Sequence, residues 1–490
     1  LTSLYVLLFY VINKVEENKD FIEKILKFYL FILLVTYSSD FSNVLFDNEY
    51  GYIGEVFASN NEFSSYISSY NNSFVWRYLL ISLEQIFASF YINVLRLVIL
   101  LLTFITLLRI FRVFKISLIA GVFSIFIFLS INQALVGGDI MFGRNENRTL
   151  AYIFLLNSFI FIKENKLLLA YLAFTFTFLS HFAVAIVNFP VFLFILFSKN
   201  DLKRIITNGL PFFLITLPFG LTIYKNGNSN NLYNIQYYIQ ERSPHHLYPF
   251  DKESNLILNF STHEWSDGFF KLLAVFIVVA ILGKLISKNF AQQLSIFTGC
   301  ICLFYFLVNY FFPLSKFVLL HPYRIVSLFT LFSIFYLMNL LIDTKMYTRL
   351  LSYKLLIPLI ILFSINLFIK DDLKYYYSNL SEYSGVHAKN YVIKQQPKVF
   401  ITPTTTYGSY WAGFEYQTKI PTYAIEKFTP NNLNGMALYL KRIEEIDNFY
   451  SGECKSLSKL GEFLFVDKDR NNLCGSLVYK EENFNIYSYP

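Results

Sequence analysis

Apolar runs near the ~20 residues that cross a bilayer recur along this chain from its start to about residue 369, with short polar clusters between them. Residues 1–13 read as the truncated end of a first span, since the chain opens on Leu1 rather than Met. A second span is expected over 25–37. The pattern repeats over 92–108, 116–131, 150–162, 206–224, 269–287, 293–311, 325–343 and 355–369. Residues 167–198 form one long apolar stretch broken by Ser180-His181. Two short spans with a tight turn at His181 satisfy it, and so does one tilted helix ending at Pro190. Within residues 78–91, Ser82, Gln85 and Ser89 recur at helical spacing on an apolar background, which predicts a helix lying in the membrane interface. The sum is about twelve spans.

Charge gives the bundle a direction. Lys and Arg cluster at Lys14–Lys24, Arg109–Lys115, Lys163–Lys166, Lys199–Arg204, Lys284–Lys288 and Lys345–Lys354. The positive-inside rule places these turns in the cytoplasm. Between Lys27 and Arg77 no basic residue occurs, while Asp40, Asp47, Glu49, Glu55 and Glu62 do. Loops 38–77, 132–149 and 225–267 are therefore expected outside. From about residue 371 the apolar runs stop and charges, Asn and Gly rise. Short strands are predicted at 398–403, 462–466 and 476–479, with a helix over 433–446. The fold expected is an all-α polytopic membrane bundle over 1–370, followed by a small extracytoplasmic α/β domain over 371–490.

Composition agrees with that reading. Of 490 residues, 55% are hydrophobic and 15% charged, against about 25% charged in soluble domains; mean hydropathy is +0.45. The net charge of +7 sits in the inter-span clusters, so it marks orientation rather than nucleic-acid binding. Cys300 and Cys302 lie in an apolar run and read as buried small hydrophobes. Cys454 and Cys474 are candidates for a disulfide if their region lies outside the cytoplasm.

Candidate chemistry gathers on the outer side. The loop Glu241–Pro249 (ERSPHHLYP) holds Arg242, His245 and His246, stiffened by Pro244 and Pro249. Guanidinium and imidazole donors in that setting suit phosphate or sugar hydroxyls. In the first outer loop Asp40 follows a span directly, and Asp47 and Glu49 come soon after. A carboxylate held at the membrane face can take the proton of an acceptor hydroxyl. The second outer loop brings Asp139 after two glycines, then Arg144, Glu146 and Arg148 beside a span. All six His, including His181 and His321, fall on this side, and His321-Pro-Tyr-Arg324 opens a span there. Arg324 is placed to bind a phosphate at headgroup level. The plain alternative is that these polar groups are solvated loops and lipid anchors. No P-loop, dinucleotide fingerprint or nucleophile elbow is present.

This layout resembles the GT-C superfamily of membrane glycosyltransferases: a long first outer loop with an acid after a span, an interfacial helix, a second outer loop with an acid at a span entrance, many spans and an outer C-terminal domain. The R-x-P-H-H-x-x-P loop and the H-P-Y-R entrance look more specifically like a set of bacterial GT-C-like membrane proteins of unassigned function. The resemblance covers most of residues 25–370. It implies a sugar donor on polyprenyl phosphate, a glycan or lipid acceptor, and in some members a divalent metal such as Mg or Mn. On this chain the catalytic acids would be Asp40, Asp47 or Glu49 with Glu146. The substrate-binding groups would be Asp139, His181, Arg242, His245, His246 and Arg324. The location implied is the bacterial cell membrane. Two rival readings are a transporter or flippase of a polar lipid or polysaccharide and a non-catalytic partner in envelope polysaccharide assembly. Ionisable residues gathered at one face rather than along the spans favour surface chemistry over passage.

Overall fold

The computed structural model describes residues 19–37, 74–131, 133, 135, 141–144, 146–226, 263–285, 289–311, 320–343, 386–403, 420–424, 433–467, 474–480 and 485–490. The chain divides into two compact units. The first is Leu1–Ser42, Ile92–Thr216 and Ile239–Lys370; the second is Asn43–Tyr91, Leu217–Tyr238 and Asp371–Pro490.

The first unit is a helical bundle. Its helices are α1 (Lys19–Tyr37), most of α3 (Tyr91–Val113), α4 (Leu118–Ser130), α5 (Asn147–Lys163), α6 (Leu167–Ser180), α7 (Phe182–Phe197), the first part of α8 (Leu202–Asn226), α9 (His263–Leu285), α10 (Phe290–Phe311) and α11 (Ile325–Asp343). The remaining α2 (Phe74–Phe87) precedes α3, joined to it by a 3-10 turn, Ala88–Phe90.

Helix α11 is the centre. It is apolar all round, as a helix must be when every face is covered: Ile325, Val326, Leu328, Phe329, Leu331, Phe332, Phe335 and Tyr336 are all buried. It packs on α4, α9 and α10. Its small polar residues face those neighbours. Ser333 Oγ meets Ser295 Oγ of α10 at 2.6 Å, Ser124 of α4 reaches the Ile334 carbonyl at 3.4 Å, and Asn339 Oδ1 accepts the Ser117 N–H at 3.0 Å. Small and hydroxylated residues at helix contacts are how bundles pack closely where hydrophobicity alone cannot tell a partner from lipid.

Four helical stretches among the described residues are long and apolar enough to cross a membrane: Tyr91–Val113, Leu202–Leu221, Phe290–Val308 and Pro322–Ile342. Leu118–Ser130, Leu167–Ser180 and Phe182–Phe197 are apolar but shorter. The expected spans over 1–13 and 355–369 lie outside the described residues. The stretch 167–198 resolves into two helices joined at His181. Pro190 does not end a helix but sits inside α7, which overturns the single-helix alternative. The predicted interfacial helix begins earlier than expected, at Phe74; it buries Trp76, Leu80 and Leu83 and exposes Ser82 and Gln85. Cys302 is buried as expected, but Cys300 is exposed on the outer face of α10.

One end of the bundle is tied by its basic residues. Arg109 at the end of α3 donates to Asn157 Oδ1 at 3.0 Å and to both carboxylate oxygens of Glu164 at 3.2 Å, and lies over the Phe161 ring at 4.7 Å. Burial pushes the Glu164 carboxyl up. Hydrogen bonds from Lys166 and Arg109, with their charges, outweigh it and hold the group below its ordinary value. The turns at this end close in left-handed residues, Lys115 and Asn165, with Ile116 N–H reaching Phe111 O and Lys166 N–H reaching Phe161 O. These are Schellman caps built without glycine.

In the second unit a four-stranded sheet has the order β1-β2-β4-β3, with β1 (Phe400–Ile401), β2 (Phe463–Asp467), β3 (Ser476–Lys480) and β4 (Asn485–Tyr489). β1 pairs parallel to β2, and the other pairs are antiparallel. Helices α12 (Val386–Gln395) and α13 (Leu433–Tyr450) accompany it. Ala388, Val392, Phe400, Val466 and Ile486 form one buried cluster. Phe449 of α13 packs edge-on against Phe463 and Phe465 of the sheet. Cys454 and Cys474 form a disulfide. Strand β4 and helix α12 were not anticipated from the sequence.

Candidate functional site

The helix ends opposite the Arg109–Glu164 clamp hold the described candidate residues: the start of α5, the junction of α6 with α7, and the start of α11. They converge through named contacts. Tyr152, buried on α5, donates its hydroxyl to the Arg324 carbonyl at 3.1 Å. It lies six positions after Glu146, roughly 9 Å of rise.

Glu146 is fully buried, at 0% exposure, immediately before α5. Its side chain does not cap the helix. Instead Oε2 takes a close ion pair with Arg148, to both Nε and Nη2, and Arg144 Nη1 lies 3.7 Å from Oε1. Two guanidiniums thus share one buried carboxylate at the helix entrance. Arg148 is therefore paired with Glu146 rather than simply anchored to lipid. The loop carrying Arg144 is pinned from behind by Gln133, buried like Glu146. Gln133 Nε2 donates to Phe142 O at 2.9 Å, and its Oε1 accepts from the Met141 and Phe142 N–H groups at 2.8 Å each. Gly143 then turns with φ +84, and a Cβ there would stand 2.5 Å from the Tyr37 ring. Arg144, Gly143 and the buried Arg96 of α3 line a narrow cleft with Leu34 and Thr103.

The second cluster is His181 with Arg324. His181 alone separates α6 from α7, in extended backbone. Its Nδ1 accepts the Val184 N–H at 3.3 Å, capping α7, and its Nε2 stands 3.1 Å from Arg324 Nη1. Arg324 ends a 3-10 turn, Pro322–Arg324, that leads into α11. His321 before it is left-handed at φ 50, ψ 64, an uncommon conformation for a side-chain-bearing residue ahead of proline. Such strain persists where surroundings over-determine it: Tyr323 is buried and stacks on Phe306 at 4.4 Å, and the Arg324 N–H bonds back to His321 O at 3.1 Å.

Among the predicted site residues, then, Glu146, His181 and Arg324 lie in the described structure, and His181 meets Arg324 directly. Asp40, Asp47, Glu49, Asp139, Arg242, His245 and His246 lie outside the described residues. For a divalent metal, Glu146 does not fit, because two guanidiniums already neutralise it. Among the described residues no three His, Cys, Asp or Glu come together as a ligand set. Sequence reasoning missed Gln133 and Tyr152. An amide just past an apolar run and a Tyr at the second turn of a helix carry no spacing signal; their roles depend on backbone groups brought from 9 and 172 positions away.

Compared with known protein families, the chain matches no family model, and no curated protein matches it.

Proposed function

We propose that this chain is a polytopic membrane enzyme of GT-C-like architecture, with about twelve spans, that transfers a sugar from a polyprenyl-phosphate donor on the non-cytoplasmic face. The observation that carries this reading is the Arg324–His181 contact at the mouth of the bundle, with the Glu146-organised arginines at the neighbouring helix entrance. Three stretches of the bundle, 118–130, 167–198 and 325–342, hold no ionisable side chain of Asp, Glu, Lys, Arg or His except His181. Cations therefore collect at the ends, where a lipid phosphate travels, and not along a path through the hydrocarbon.

In the reaction the acceptor oxygen forms a bond to the anomeric carbon while the bond from that carbon to the phosphate oxygen breaks. The lipid phosphate leaves with the extra electron pair. Arg324, and through the cleft Arg144 and Arg96, supply positive charge beside it, which lowers the barrier only to the extent that it strengthens as charge develops. The acceptor proton goes to a carboxylate, assigned to Asp40, Asp47 or Glu49. Glu146 is better suited to holding Arg144 and Arg148 in place than to taking that proton. The acidic first loop, free of basic residues, and the disulfide of the second unit both support an oxidising, non-cytoplasmic setting for those regions.

The test is sugar transfer by the purified protein from a synthetic short-chain polyprenyl-phosphate sugar. The Arg324→Ala variant is expected to lose on the order of 10²-fold in turnover while keeping its elution profile in detergent. Full activity in that variant, or no release of polyprenyl phosphate by wild-type protein with any sugar tried, overturns the reading.

A further inference from the structure

Helix α8 starts with one face held by the bundle and the neighbouring face bare. Asp201 Oδ1 accepts the Arg204 N–H at 2.7 Å and caps the helix. The Ile205 carbonyl accepts the Tyr171 hydroxyl of α6 at 2.8 Å, Ile205 itself is buried, and a Cβ on Gly209 would stand 2.9 Å from the Tyr171 ring. Leu202, Ile206, Leu210 and Phe213 recur at the three- and four-residue steps of a single helix face. Each is between 52% and 59% exposed. The span-length stretch Leu202–Leu221 is only 6% buried, against 50% to 72% for the other three, so in a bilayer this stripe meets lipid.

Basic residues crowd the head of that stripe. Lys203 lies on the same helix arc and is exposed. Lys199, also exposed, sits in the turn between α7 and α8, its N–H on Leu196 O at 3.1 Å. Its charge acts on the Lys163 ammonium at the end of α5, which is itself held over the Phe290 ring at 3.1 Å. The acids next to them in sequence are committed elsewhere: Glu164 to Arg109 and Lys166, Asp201 to the cap of α8. Among the described residues, Lys163, Lys199 and Lys203 form no ion pair with one another's neighbours or with any other acid. Cations at headgroup level above an exposed apolar stripe match a molecule that is anionic at one end and apolar at the other. We propose that this corner of the bundle binds an acidic phospholipid, its phosphodiester headgroup against Lys199 and Lys203 with Lys163 beside them, and an acyl chain along Leu202, Ile206, Leu210 and Phe213. The site rests on the membrane placement given under Proposed function, but not on sugar transfer.

The experiment is native mass spectrometry of the full chain released from maltoside micelles, titrated with dioleoyl phosphatidylglycerol or dioleoyl phosphatidylcholine. The wild-type protein is expected to retain phosphatidylglycerol saturably and to prefer it over phosphatidylcholine. A Lys199→Gln/Lys203→Gln double variant should weaken that binding by roughly thirtyfold, about fivefold for each charge near an anionic headgroup. Both lysines are exposed, and helical circular dichroism checks that the variant folds. A Lys455→Gln/Lys480→Gln variant removes the same charge from the second unit and should bind as wild type does. Dihexanoyl phosphatidylglycerol, which keeps the headgroup and shortens the chains, should bind at least about tenfold more weakly than the dioleoyl lipid. Equal retention of the two dioleoyl lipids, no loss in the Lys199/Lys203 variant, or the same loss in the Lys455/Lys480 variant overturns the site. Equal binding of the short- and long-chain lipids overturns the role of the stripe. No sugar transfer is measured, and whether the chain stays in phosphatidylcholine vesicles after alkaline extraction tests the membrane placement separately, so the three readings fail independently.

Discussion

A fully buried carboxylate held between guanidiniums is a poor place for an accidental substitution. Glu146 is surrounded by Arg148 and Arg144, themselves mostly buried. Taking out the acid removes a shared partner from two mostly buried cations, which costs more than the pair contributes when intact. Glu146→Ala is expected to destabilise the bundle by about 3 kcal/mol or more, read as a fall in thermal midpoint in detergent. Glu146→Gln should be nearly as damaging, since it keeps the shape and loses the charge. A variant with an unchanged midpoint means that water or lipid compensates the arginines and that the carboxylate is not structural. Gly143 permits a companion test. Its backbone is left-handed and a Cβ would overlap the Tyr37 ring, so Gly143→Ala combines strain with overpacking and should cost about 1–3 kcal/mol in the same melt. The two effects share a loop and are expected to be non-additive.

At the scale of elements, the α3–α5 clamp makes stability depend on acid. Glu164 titrates below its ordinary value because Lys166 and Arg109 outweigh its partial burial. A group depressed in the folded state contributes stability that is whole above its unfolded pKa and is lost as pH falls through the folded one. The clamp should therefore hold at neutral pH and weaken as pH drops below about 4.5. Arg109→Gln should flatten that acid limb, as followed by helical circular dichroism against pH. An unchanged limb would mean that other carboxylates set it. The helices themselves were legible because an apolar period with basic ends is a strong local signal. That is why α3, α4, α10 and α11 fall within a few residues of expectation. The start of α2 was not, because Phe74 and Trp76 fall in the stretch read as the polar loop 38–77 until the buried neighbours of Trp76 and Leu80 exist. Strand β4 failed for a related reason. Asn485–Tyr489 holds Ile and two Tyr, as strands do, but it lacks strict alternation and follows the charged run Lys480-Glu481-Glu482, and its pairing with β2 is a long-range fact. The site was half visible. Charged residues at span entrances announced Glu146 and Arg324, whereas the His181–Arg324 contact needed α6, α7 and α11 to be assembled.

For the whole molecule the decisive question is which compartment each unit meets, and in the second unit the disulfide supplies a handle. Cys454 and Cys474 are 20 positions apart and bridged. Closing a loop of that length restricts the unfolded chain enough to stabilise the fold by about 3 kcal/mol. Such a bridge persists only where the compartment is oxidising. Under the proposed reading the basic clusters mark the clamp end of the first unit as cytoplasmic, and the bridge marks an oxidising compartment for the second unit; each is tested on its own unit. If they are right, a membrane-impermeant maleimide added to intact cells should leave Cys454 and Cys474 unlabelled until an impermeant reductant is added, and label both afterwards. Cys454→Ser should leave Cys474 labelled without reductant, and the second unit should melt lower by an amount consistent with the lost cross-link. Free, reagent-shielded thiols in intact cells that label only after permeabilisation would put the second unit in the cytoplasm. That would remove the oxidising, non-cytoplasmic setting that the proposed function assigns to the second unit.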